Sequence, residues 1–195
     1  MNAGAVVPIP AAPHPEAHPR GEAPPLTLSP SRAADFMTCP LLYRFRTIDR
    51  LPEPPSPEAT RGTVVHAVLE RLFDLPAAQR SAVQATTMIR PEWERLLEIE
   101  PALAELFADD ADGSALAAWL QSAETLVHRY FTLENPQSLE PAERELYVET
   151  TLDSGLRLRG YVDRLDAAPA TGELRVVDYK TGKAPRAGFE QRAMF

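Results

Sequence analysis

The chain changes texture after Pro141. ELYVETTL (145–152), LRLRGYVDRLD (156–166) and ELRVVDYK (173–180) have the length and residue types of strands, and the turn-rich DSG and APATG separate them. Three strand-like runs joined by short links predict an antiparallel meander. A sheet must bury a face against something, and the residues ahead supply helices for it. RGTVVHAVLERLF (61–73) carries apolar residues at 64, 65, 68, 69, 72 and 73, a helical period. Residues 91–108 and 114–131 read as two further helices; in the second, Leu116, Trp119, Leu120, Ala123, Val127, Tyr130 and Phe131 keep helical spacing. LTLSPSRAADFMTCPLLYRFR (26–46) opens with Ser29 as N-cap and Pro30 as first helical residue, and Pro40 ends or kinks that helix. The fold class expected is α/β: a mixed sheet of three or more strands flanked by helices, with a helical segment at its N-terminal end.

Composition sets the limits of that domain. The 195 residues include 20 prolines, too many for one compact fold, and seven of them fall in residues 1–25. That Pro/Ala-rich head cannot bury enough apolar surface to offset ordering, so we expect a disordered tail over 1–25 and one domain over 26–195. No apolar run is long enough to span a bilayer, and the N-terminus lacks the basic start and apolar stretch of a secretory signal. A single cysteine, Cys39, excludes an internal disulfide and fits a reducing cytoplasm. The formal charge of −8 argues against a broad electrostatic grip on nucleic acid. The acidity is local, however: residues 92–112 hold eight acids and one base, whereas residues 141–195 hold nine of each.

RVVDYKTGK (175–183) carries the chemistry. On a strand, Asp178 and Lys180 share a face. The loop before it is centred near Ala170, so a hairpin places Asp163 across from a residue close to Asp178, with Cβ atoms about 4.5–5.5 Å apart if directly opposed. Asp163, Asp178 and Lys180 then converge, and Glu145 can join from the preceding strand, with Glu143 and Glu149 as competitors. Close carboxylates repel unless a cation holds them. A hard divalent ion such as Mg²⁺ does so, keeping waters and binding phosphate oxygens, and an ammonium group beside it neutralises charge building on a phosphate. An Asp–Lys ion pair on a half-exposed strand meets the same spacing. Arg164 can reach a phosphate or pair with Asp166 or Asp178. The mix of Arg32, Arg44 and Arg46 with Tyr43 and Phe45 suits a single-strand groove, or equally a packed aromatic pair with solvated arginines. Gly182-Lys183 is not a phosphate loop, because Val177 stands where the first glycine is needed and Ala184 replaces Ser/Thr.

In order, LSPSRAADFMTCPLLYRFR, RGTVVHAVLERLF, GYVDRLD and VVDYKTGK resemble the PD-(D/E)XK nuclease superfamily, and within it the RecB-type exonuclease domain. The resemblance implies a restriction-endonuclease-like core and a Mg²⁺- or Mn²⁺-dependent deoxyribonuclease, an exonuclease of DNA repair or recombination. DNA, single-stranded or with free ends, would be its substrate and a helicase a possible partner. It implies that His66, Asp163 and Asp178 hold the metal, that Lys180 is the catalytic lysine, and that Glu145 matches a further upstream acid. The family follows the lysine with a Gln-x-x-x-Tyr helix; Gln191 has no tyrosine four places on, so we expect the domain to be incomplete at its C-terminus. Some members bind a 4Fe–4S cluster through a Cys-Pro cysteine near the start and three later ones. Cys39-Pro40 resembles that first ligand, but one thiolate cannot hold a cluster. A cluster is therefore expected only in a longer form, and otherwise Cys39 is a small buried apolar residue. The missing helix and cluster ligands also admit another reading: a nuclease-fold module that binds DNA or a helicase without cutting.

Overall fold

In the computed structural model, residues 27–168 and 170–182 are described. The expected disordered head and Gln191 lie outside them. A two-residue strand β1 (Thr27–Leu28) leads into α1 (Pro30–Thr38) and α2 (Pro40–Tyr43), which runs on into a π-helical turn at Arg44–Ile48. As the sequence predicts, the Ser29 hydroxyl accepts from the Arg32 N–H, Pro30 opens α1, and the helix breaks ahead of Pro40. Three longer helices follow: α3 (Pro57–Leu72), α5 (Ile89–Ile99) and α6 (Ser114–Leu133), with a short α4 (Ala82–Thr87) between the first two. The single helix expected over 91–108 is two elements, because Pro101 has no N–H to continue α5; a 3₁₀ helix spans Pro101–Phe107 instead.

The apolar stripes read from the sequence form the core. Val64, Val65, Val68, Leu69 and Leu72 of α3 meet Trp119, Leu120, Ala123, Val127 and Tyr130 of α6, with Ile89 and Trp93 of α5 closing the third side. Trp93, Phe107 and Trp119 pack edge to face, their ring centroids 5.0–5.8 Å apart.

The sheet is mixed. β2 (Glu143–Thr151), β3 (Arg157–Ala167) and β4 (Leu174–Val177) form the antiparallel meander, and β1, a strand not read from the sequence, adds the parallel pairing that makes the sheet mixed as expected. β3 is the centre: β2 runs along one side, while β1 and β4 pair with opposite ends of β3. β4 is shorter than the run 173–180 and ends before Asp178. Its Val176 is 66 % exposed, and among the described residues the strand pairs on one side only, with β3.

Two arginines fix the sheet to α3. Buried Arg80 donates to the carbonyls of Leu75 and Leu139, joining the end of α3 to the approach to β2. Arg144 of β2 donates to the Glu70 carbonyl and pairs with Asp74 at 2.8 Å. The residue after Arg144 is Glu145, so this clamp sets how β2 presents that acid to the helix.

Candidate metal centre

One helix and two strands meet at a cluster of three side chains. His66 comes from the middle of α3, Glu145 from β2 and Asp163 from β3, and one ligand atom of each lies within 4.8 Å of the others. His66 Nδ1 is 3.6 Å from Asp163 Oδ1. The second carboxylate oxygen of Asp163 accepts the Tyr179 backbone N–H. Ala59, Gly62, Thr63, Ala67 and Glu70 line a cavity of roughly 480 Å³ beside His66 and Glu145. Glu70 stands one helical turn beyond His66 on the same face.

Glu145 holds an unusual backbone. Its φ is +46°, in the left-handed region that side chains with a Cβ disfavour. The pairs Arg144↔Arg164 and Leu146↔Val162 are in register on either side, and the ladder omits the Glu145–Asp163 pair between them. Regular pairing on both flanks and the Arg144 clamp hold the residue in this state, which costs on the order of 1–3 kcal/mol. Burial pushes the Glu145 carboxyl above its usual range; the charges of Asp163 and Glu70 push it further, and His66 opposes them. Two acids and an imidazole thus share a space in which the carboxylates repel. A divalent cation relieves that conflict, and a nitrogen with two carboxylate oxygens is a donor set that suits one.

The triad differs by one member from the set His66, Asp163, Asp178 inferred from the sequence. The register Arg164↔Val177 would continue to Asp163 opposite Asp178, as expected, but the ladder stops there. Asp178, Tyr179 and Lys180 leave the strand, so the shared-face reading of Asp178 and Lys180 does not hold. The two side chains still meet, Lys180 Nζ lying 2.7 Å from Asp178 Oδ2, with both well exposed. They line a separate cavity of roughly 430 Å³, with Val65, Leu69, Tyr130 and Glu134 among its walls. Glu145, the loosest assignment from sequence, is the acid that joins His66 and Asp163.

Other assignments fall elsewhere. Arg164 is fully buried and bonded to Glu134 and Asp166; it therefore cannot meet a phosphate at the surface. Cys39 is exposed, which corrects its reading as a buried apolar residue. The N-terminal set Arg32, Tyr43, Arg44 and Arg46 lies on the α1–α2 segment. Its arginines have internal partners: Arg46 pairs with Glu53 and Asp35, Arg44 with Asp49, and Arg32 reaches Thr27. Tyr179 and Glu70 carried no signal in the sequence beyond their places inside two motifs.

A sequence model of the PD-(D/E)XK nuclease superfamily matches residues 27–194. The chain belongs to this superfamily. Its mixed sheet flanked by helices fits the fold of these nucleases, which act on DNA and use divalent metals. As a PD-(D/E)XK chain it is also similar to the Gene 69 protein of Mycobacterium phage D29, at 26 % identity over 188 residues. That match takes in 83 % of this chain and spans about 65 % of the phage protein's length. Among the described residues, no helix of this PD-(D/E)XK chain is long and apolar enough to cross a membrane.

Proposed function

We propose that the chain is a divalent-metal-dependent deoxyribonuclease of the RecB type, acting as an exonuclease on DNA with single-stranded or free ends during repair or recombination. The convergence of His66, Glu145 and Asp163 within 4.8 Å, on this superfamily's scaffold, carries the reading. These three residues would hold Mg²⁺ or Mn²⁺. Such an ion supplies Lewis-acid activation of water and draws charge from the phosphate in the transition state.

The chain's own groups supply the rest. Asp163 stays aligned because the Tyr179 N–H holds one of its oxygens and leaves the other facing His66. Lys180, with its side chain 82 % exposed, is proposed to neutralise charge on the scissile phosphate once that phosphate displaces Asp178 from it. Asp178 then becomes free to turn toward the triad as a further ligand. DNA is proposed to reach the site past the N-terminal helical segment, where Arg32, Tyr43, Arg44 and Arg46 mix charge with aromatic rings.

The expected result is degradation of linear DNA that requires Mg²⁺ and that Asp163→Ala and Lys180→Ala each reduce at least a hundredfold. Cleavage that survives both substitutions would overturn the assignment. A second reading is a nuclease-fold module that binds DNA or a helicase without cutting, and one observation favours it: Asp178 and Lys180 pair with each other outside the triad. Tight DNA binding by a metal-loaded protein that leaves the DNA intact would select it. The cytoplasm is the proposed location under either reading.

A further inference from the structure

Arg164 is the largest side chain in the described protein with no exposure, and it lies next to Asp163 on β3. Neighbours on a strand face opposite ways, so it points away from the triad. Its three nitrogens are all engaged. Nε and Nη2 donate to the Asp166 carboxylate, and Nη1 and Nη2 donate to the two oxygens of Glu134. Nη1 also donates to the hydroxyls of Tyr179 at 3.0 Å and Tyr130 at 3.3 Å. Arg175 pairs with the same two acids, which balances two positive charges against two negative ones. Apolar residues of equal volume often stabilise a core as well as buried ionic groups do. What such a set adds is orientation.

The group it orients is Tyr179. The guanidinium lies over the Tyr179 ring, 5.8 Å from its centroid, while it donates to the phenol oxygen. The same ring meets His66 edge-on, with centroids 5.8 Å apart and planes at 89°. The backbone N–H of Tyr179 is the donor that holds Asp163. One residue therefore touches two members of the triad, and its side chain is fixed from behind by a guanidinium whose hydrogen bonds go to neither of them. We propose that Arg164, acting through Tyr179, is a positioning residue for the metal ligands Asp163 and His66: the buried guanidinium anchors the phenol, and the anchored residue fixes the carboxylate by its amide and the imidazole by its ring.

This inference rests on the triad being a metal site, and calorimetry of Mn²⁺ binding separates the two claims. Wild type should bind Mn²⁺ and Asp163→Ala should not. Tyr179→Phe keeps the ring and the amide but loses the hydroxyl, and Arg164→Lys keeps the charge but loses the fork. With the fold verified by circular dichroism, each should weaken Mn²⁺ binding about tenfold, in the range found for outer partners of metal ligands. The double variant should lose little more than either one, because both remove the same contact. Should Arg164→Lys fail to fold, Tyr179→Phe decides alone. Wild-type Mn²⁺ affinity in a folded Tyr179→Phe protein would overturn the positioning role while leaving the metal site standing. No Mn²⁺ binding by wild type would overturn the metal site, and the positioning role with it.

Discussion

Glu145 combines a strained backbone with a disfavoured charge. Its φ of +46° costs stability in the protein without metal, and so does holding its carboxylate, raised in pKa by burial and by the charge of Asp163, at this position. Glu145→Gln keeps the shape and removes the repulsion. At neutral pH the metal-free variant should melt no lower than wild type, whereas Mn²⁺ should bind at least tenfold more weakly and should no longer raise the melting temperature. Scanning calorimetry with and without Mn²⁺ reads both; unchanged binding would remove Glu145 from the ligand set. From sequence, His66 and Asp163 were legible because each sits inside a distinctive motif. Glu145 was one of three acids on a strand; the register that sets it across from Asp163, where Glu143 meets Leu165 and Glu149 meets Arg159, separates it from the other two, and so does its left-handed backbone. No residue type signals that conformation here, since glycine or asparagine would be the usual occupant. The burial of Arg164 was equally hidden, because the acid that holds it most closely, Glu134, lies 30 residues upstream at the end of another helix.

At the scale of elements, α3 is the piece on which the centre is built, and its Gly62 faces Thr181 in the segment after β4. A Cβ at Gly62 would lie 3.0 Å from Thr181 Oγ1, tighter than such contacts normally are. Glycine inside a helix costs about 1 kcal/mol relative to alanine, so Gly62→Ala in open space should stabilise the protein. We expect the gain to be absent or reversed, and expect the proposed DNA cleavage to fall because Lys180, next to Thr181, is displaced. Thr181→Ala removes the obstructing oxygen, so in the double variant the helix gain of about 1 kcal/mol should reappear. Chemical denaturation of the four proteins gives the coupling directly, and additive effects would show that the contact is not felt. The longer helices were readable from sequence, because an apolar period marks α3 and α6 and the Ser29-Pro30 start marks α1. The weak elements were not. β1 has two residues and no period to detect, and β4 stops at Val177 although the apolar alternation runs on, because the chain turns there to bring Tyr179 onto Asp163 and Arg164.

Across the whole molecule, the buried ionic set joins α6, β3, β4 and the segment beyond it, so its titration should appear in global stability. Burial alone would raise the Glu134 carboxyl, but hydrogen bonds from Arg164 and Tyr130, with the charges of Arg164 and Arg175, outweigh it and leave the group below its ordinary 4.5. The same burial pushes the Tyr179 hydroxyl up to about 12, so it stays protonated throughout the acid range. A carboxyl whose pKa is lower folded than unfolded contributes stability above its unfolded value and loses it as pH falls through the folded one. Wild type should therefore lose stability progressively below about pH 4.5, over the window between those two values. Glu134→Gln keeps a hydrogen-bonding group but removes the charge opposite Arg164, at a cost of about 1–3 kcal/mol near neutrality. For a domain of this size that is a fall in melting temperature of roughly 2–12 °C. The difference should shrink as the pH drops and vanish once wild-type Glu134 is itself protonated. Two melting curves that stay parallel from pH 7 to pH 3 would show that Glu134 does not titrate against Arg164, and that this network does not bind the sheet to the helical layer through charge.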